Sequence, residues 1–181
     1  IQGFTQGFGI QIAKMVGEND TVKLKRAISN SIILSALLSI VLLLGMQLII
    51  YPAMHILRIP LYMRDISVTY LRVIFVGIPF SVAYNIFAVI LRSLGNSKTP
   101  LNAMVISTSS NIVLDILFVV GFQWGVIGAA VATIISQLLS AVYCFVILNK
   151  CDIFKANYIE FRLDIAETLV MLKLGTPMAI Q

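Results

Sequence analysis

Charge is what this sequence has least of. Only 12% of its 181 residues are Asp, Glu, Lys or Arg, where a soluble domain carries about a quarter. Histidine and tryptophan occur once each and cysteine twice. A lone His55 gives no basis for a histidine-built catalytic or metal centre. Cys144 falls in an apolar run and Cys151 in a polar interval, so the pair forms neither a disulfide framework nor a metal-ligand pattern. The net charge is +5, but the basic residues are dispersed between apolar runs and do not argue for nucleic acid.

What the sequence has instead is apolar length. It is 59% apolar, with a mean hydropathy of +0.98. Five apolar segments span about 1–16, 27–51, 66–91, 101–121 and 125–148, and a sixth begins near Thr168. A helix needs roughly 17–25 apolar residues to cross a bilayer, and a signal peptide does not explain several such runs. Only helices and closed barrels satisfy the backbone in lipid, and these runs are too long and uniform for barrel strands. The expected fold is therefore all-α, a polytopic transmembrane helix bundle. The chain starts without Met and stops just inside an apolar stretch, which reads as a piece of a longer protein.

The loops divide by charge. Segments 17–26, 92–100 and 149–167, with Lys14 beside the first, hold nine of the thirteen basic residues. Arg58 and Arg64 lie in 52–65, none lies in 122–124, and Arg72 is expected to snorkel to the interface nearest it. Alternation of this kind places 17–26, 92–100 and 149–167 in the cytoplasm of a multi-pass protein. Gly3, Gly7 and Gly9 form a small-residue face suited to helix packing. Gly77 and Pro79 predict a kink in the third segment, because proline removes a backbone hydrogen bond. Gly95-Asn96 reads as a helix stop and Trp124 as an interface anchor. Asp164 and Glu167 resemble a capping signal before the last segment.

One acid breaks the apolar pattern. Asp115 is the only carboxylate inside these runs, and burying it costs about 2.5–3.5 kcal/mol on insertion scales. Ser107, Asn111 and Asp115 recur at i, i+4 and i+8, which puts them on one helix face. Thr133, Ser136, Gln137 and Ser140 give the fifth segment a polar face. The short 122–124 link forces an antiparallel hairpin. Counting from it, Asp115 and Thr133 differ in depth by about 3 Å. Asn111, Asp115 and Thr133 then supply an amide, a carboxylate and a hydroxyl, a set suited to sodium or to a proton. Competition of the two for one carboxylate gives a physical basis for cation-driven transport. The alternative is a structural network of hydroxyls bonded to backbone carbonyls, the better account of Ser107 and Ser140. Ser107, Ser136, Gln137, Tyr84 and Asn85 are candidates for lining a cavity, with packing as the competing role of Tyr84 and Asn85.

The segment Leu91-Arg92-Ser93-Leu94-Gly95-Asn96-Ser97-Lys98-Thr99-Pro100 resembles the "LRxxGxxKxP" loop of multidrug and toxic compound extrusion (MATE) transporters. Asn111-x-x-x-Asp115 and Gly125-Val-Ile-Gly-Ala-Ala-Val-Ala-Thr133 resemble that family's fifth and sixth helices. The stretches 12–20 and 172–177 are similar to the end of its second helix and the opening of its seventh.

The resemblance implies two six-helix lobes around a cavity. Residues 1–150 would be helix 2 to helix 6 of the N-terminal lobe, 151–170 a cytoplasmic linker, and 171–181 the start of helix 7. It also implies a cation site made of Asn111, Asp115, Thr133 and an Asp on a first helix absent from this sequence. The implied activity is export of cationic or amphipathic drugs across the inner (plasma) membrane, in exchange for sodium or protons. No cofactor, catalysis or metal is implied beyond sodium at Asp115. Rival readings are a lipid-linked oligosaccharide flippase, which needs basic residues in its cavity, and a non-transporting scaffold, which tolerates loss of Asp115. An intramembrane aspartyl protease needs a second facing Asp.

Overall fold

The computed structural model describes residues 2–18 and 20–151, and every element in them is helical. In chain order they are α1 (Gln2–Gly17), α2 (Thr21–Ile56), α3 (Leu61–Val76), α4 (Ile78–Ser93), α5 (Lys98–Asp115) and α6 (Gly125–Asn149). A π-helical segment, Ile116–Gly121, continues α5. Among the described residues, four stretches are long and apolar enough to cross a membrane: Thr21–Ile56, Leu61–Ser93, Lys98–Gly121 and Gly125–Asn149. The expected linker, the capping pair Asp164 and Glu167, and the last segment lie outside the described residues.

Two helices depart from their sequence-expected limits for physical reasons. α2 runs well past 27–51 at both ends. At its start the Asp20 carboxylate accepts from the backbone N–H of Val22 (3.2 Å) and Lys23 (3.0 Å). That satisfies donors every helix start leaves open, so Lys23, Lys25 and Arg26 join the helix with their heads in water. At the other end Pro52 is absorbed within the final turns. The 36 residues make a rod about 54 Å long, against about 30 Å of hydrocarbon. The third apolar segment is divided: α3 ends and α4 begins at Gly77, two residues before Pro79. A Cβ on Gly77 would lie 3.0 Å from Ile134 Cγ1 and 3.2 Å from Gln137 Oε1, so only glycine lets α6 approach the break this closely.

Packing concentrates at the end bearing the 17–26 and 92–100 loops. Phe8 and Ile12 of α1, Ile28 of α2, Ile86 and Ile90 of α4, and Leu148 of α6 interlock there. In lipid this packing rests on dispersion and close fit rather than on the hydrophobic effect. Small residues permit it: Gly7 is buried, and Ser93 Oγ donates to Gly9 O at 3.0 Å across α1 and α4. Gly95, with φ +85°, stops α4. The Asn96 N–H reaches back to Leu91 O at 2.8 Å, as glycine-terminated helices do. At the opposite end Ile50, Met54 and Val68 join α2 to α3. Arg72 is exposed: its carbonyl accepts from Gln47 Nε2 at 3.2 Å, and its guanidinium carbon is 5.3 Å from the ring centre of Tyr51, one turn nearer the α2–α3 connection.

Candidate functional site

α5 and α6 form the antiparallel hairpin that carries Asn111, Asp115 and Thr133. Its turn is built from aromatics, with Trp124 stacked on Phe118 at 5.2 Å between centroids and the Trp124 N–H bonded to Phe118 O at 3.0 Å. Two contacts fix the register. A Cβ on Gly128 would sit 3.0–3.2 Å from the Phe118 Cβ and backbone, and Ser107 Oγ donates to Ser136 O at 3.0 Å. Interpolating between them puts Asn111 level with Thr133. Asp115 lies level with Ala130, about 4.5 Å nearer the turn at 1.5 Å per residue. On this interpolation the hydroxyl is nearer in level to the amide than to the carboxylate.

Asp115 Oδ1 and Asn111 Nδ2 are both buried and have no hydrogen-bond partner among the described residues. Such groups are rare, since burial without a partner costs about 1–3 kcal/mol for a neutral group and more for a charge. They lie one helical turn apart, and the π-helical segment begins at the next residue after Asp115. Segments of this kind recur at functional sites. The two ends of an amide are exchangeable in placement. Turned over, Asn111 sets an oxygen, an acceptor, where its nitrogen now lies. Thr133 Oγ1 donates to Ala129 O at 2.9 Å, which leaves its lone pairs as acceptors.

The other sequence candidates go elsewhere. Ser136 and Ser140 donate to Ala132 O (2.7 Å) and Gln137 O (2.8 Å) of their own helix. Ser107 uses its hydroxyl to join α5 to α6. Gln137 turns to the Gly77 break rather than to α5. Tyr84 OH donates to Pro100 O at 3.2 Å, which pins α4 to the start of α5, and Asn85 Nδ2 donates to Ser81 O at 2.8 Å. Sequence reasoning passed over a second polar stripe, Ser31, Ser35 and Ser39 on α2. Its four-residue spacing is the same signal that singled out Ser107, Asn111 and Asp115.

Four membrane-length helical stretches among the described residues, packed in part through small residues, define a polytopic membrane protein. The MatE family model matches residues 1–117, and the chain belongs to that family. It is 36% identical over 130 residues to the probable multidrug resistance protein YpnP of Bacillus subtilis. That alignment covers 71% of this chain and 28% of the relative. Among solved structures, the inward-facing conformation of a multidrug resistance MATE family transporter of the MOP superfamily superposes with a TM-score of 0.90. It is 26% identical, over 99% of this chain and 41% of that one. The outward-facing conformation of such a transporter gives 0.89 at 24% identity, over 99% of this chain and 40% of that one. The chain therefore spans less than half the length of these relatives.

Proposed function

We propose that the chain is part of a secondary active multidrug exporter that exchanges cationic or amphipathic small molecules for sodium or protons by alternating access. Residues 1–150 are then most of an N-terminal lobe, with 151–170 leading to a second lobe. The protein sits in the inner (plasma) membrane with loops 17–26, 92–100 and 149–167 in the cytoplasm. The observation that carries the reading is Asp115 Oδ1, buried and unpaired one turn from an unpaired Asn111. In a low-dielectric site a carboxylate either takes up a proton or holds a cation. Asp115 supplies the charge, and Asn111 and Thr133 add neutral oxygens on the side away from the turn.

Coupling requires the cation and the drug to favour different arrangements of the lobes. The near-equal match of this chain to inward- and outward-facing relatives supports a lobe that moves as one body. A flippase would carry basic residues toward a cavity. Arg72 lies exposed against Tyr51, and Arg92 lies exposed in the last turn of α4, so no observation favours it.

The test is Asp115→Asn in the intact protein reconstituted in liposomes, with efflux of a cationic dye driven by imposed sodium or proton gradients. The expected result is loss of gradient-driven efflux with retained folding. Efflux at the wild-type rate would remove Asp115 from the coupling.

A further inference from the structure

Arg72 is a cation without an anion. It lies exposed on α3, inside the stretch Leu61–Ser93 that is apolar enough to cross a membrane. Its Nη2 donates to Tyr51 Oη at 3.4 Å, with the guanidinium over the Tyr51 ring. The Gln47 bond to Arg72 O ties α2 to α3 at this level. No carboxylate among the described residues pairs with Arg72. From Tyr51 to Gly77 the chain carries three arginines, Arg58, Arg64 and Arg72, against one acid, Asp65. A guanidinium has five N–H donors, and Arg72 spends one of them on Tyr51. Tyr51 Oη accepts that bond and keeps its own proton to donate.

Tyr51 also heads an apolar stripe. Leu48, Leu44, Val41 and Leu37 follow it on α2 at steps of three and four residues, which is one helix face, and all are exposed. From Tyr51 to Val41 the helix descends about 15 Å. That is half of a hydrocarbon core of about 30 Å, the depth of one leaflet. There the stripe runs beside an apolar groove of about 190 Å³, walled also by Phe4 and Phe8 of α1. An arginine fork takes a phosphate through parallel N–H bonds. The exposed donors ask for an anion, and the stripe directly below them asks for an acyl chain.

We propose that this face of α2 and α3 binds one glycerophospholipid. Its phosphate accepts from the Arg72 guanidinium and from Tyr51 Oη. One acyl chain lies along Leu48, Leu44 and Val41. The lipid is held on the outside of the helix pair and is not carried across. The site lies on α2 and α3, apart from Asp115 on α5, and does not depend on the transport reading.

The experiment mixes the intact wild-type protein with its Arg72→Gln variant in one detergent sample. Dioleoyl phosphatidylglycerol is added in steps, and bound lipids are counted by native mass spectrometry. The wild type should hold one lipid more than the variant, whose site is weakened about tenfold or more by loss of a charge-assisted bond. Tyr51→Phe keeps the ring beneath the guanidinium and should weaken the site about fivefold. It replaces Arg72→Gln if that variant does not fold. Dioleoylglycerol, with the same chains and no phosphate, should bind wild type and variant alike. Equal phospholipid counts in wild type and variant would overturn the proposal. So would dioleoylglycerol that distinguishes the two proteins, or displacement of the phospholipid by millimolar inorganic phosphate, which would mark a site for the free anion.

Discussion

The two ends of α5 are held in opposite ways. At its start Thr99, Pro100 and Ala103 are buried, Asn96 Oδ1 accepts from the Thr99 N–H at 3.1 Å, and Tyr84 bonds Pro100 O. At its finish Asn111 and Asp115 present unpaired buried atoms. The helix then passes into a π-helical segment with no buried residue. One end of the rod is clamped by satisfied polar groups. The other keeps polar groups unsatisfied and a backbone one residue per turn looser. Natural proteins keep such local violations where function requires them.

The contrast is broken most directly at Asp115. Replacing it with Leu removes a buried carboxylate oxygen that has no partner among the described residues, so thermal stability should rise by roughly 1–3 kcal/mol while gradient-driven efflux is lost. A stability loss in a detergent melt would mean that the carboxylate is structurally paired.

Gly128 tests the spacing of the hairpin. Gly128→Val drives a side chain into the Phe118 backbone, which cannot swing away, and should cost about 1–3 kcal/mol, again read by thermal unfolding. Tyr84→Phe probes the clamped end. It should cost about 1 kcal/mol through one lost hydrogen bond and leave efflux intact.

The smallest effect is expected at Asp20. The Lys23 backbone N–H, and then the Lys23 ammonium, holds its carboxyl below the ordinary 3.8. Its contribution to stability is present above that value and fades as pH falls through the lowered one. Asp20→Asn keeps the cap but loses the charge, and should flatten the acid end of the stability profile while lowering the neutral value slightly.

Much of this was legible beforehand, for identifiable reasons. Long apolar runs in lipid leave the backbone one solution, so the helices and the all-α fold follow from composition. Gly77 and Pro79 marked a break because proline chemistry is local. The face bearing Asn111 and Asp115 follows from a spacing of four. What escaped was decided by tertiary contact. The π-helical segment Ile116–Gly121 has no marker in Ile-Leu-Phe-Val-Val-Gly. Gln137 shares a stripe with Thr133, yet lies against Gly77 because α6 packs on α3 and α4 as well as on α5. The full length of α2 was hidden by Lys23, Lys25 and Arg26, which look like a loop until their long stems are allowed to reach water.

That length has a practical corollary. A rod of this reach cannot be immersed from end to end along the membrane normal, so at least one of its ends stands clear of the oil. A cysteine placed at Leu57, 68% exposed, would meet a membrane-impermeant maleimide from one face of the cell envelope only. The orientation of the whole bundle can thus be fixed by a single labelling reaction on intact cells.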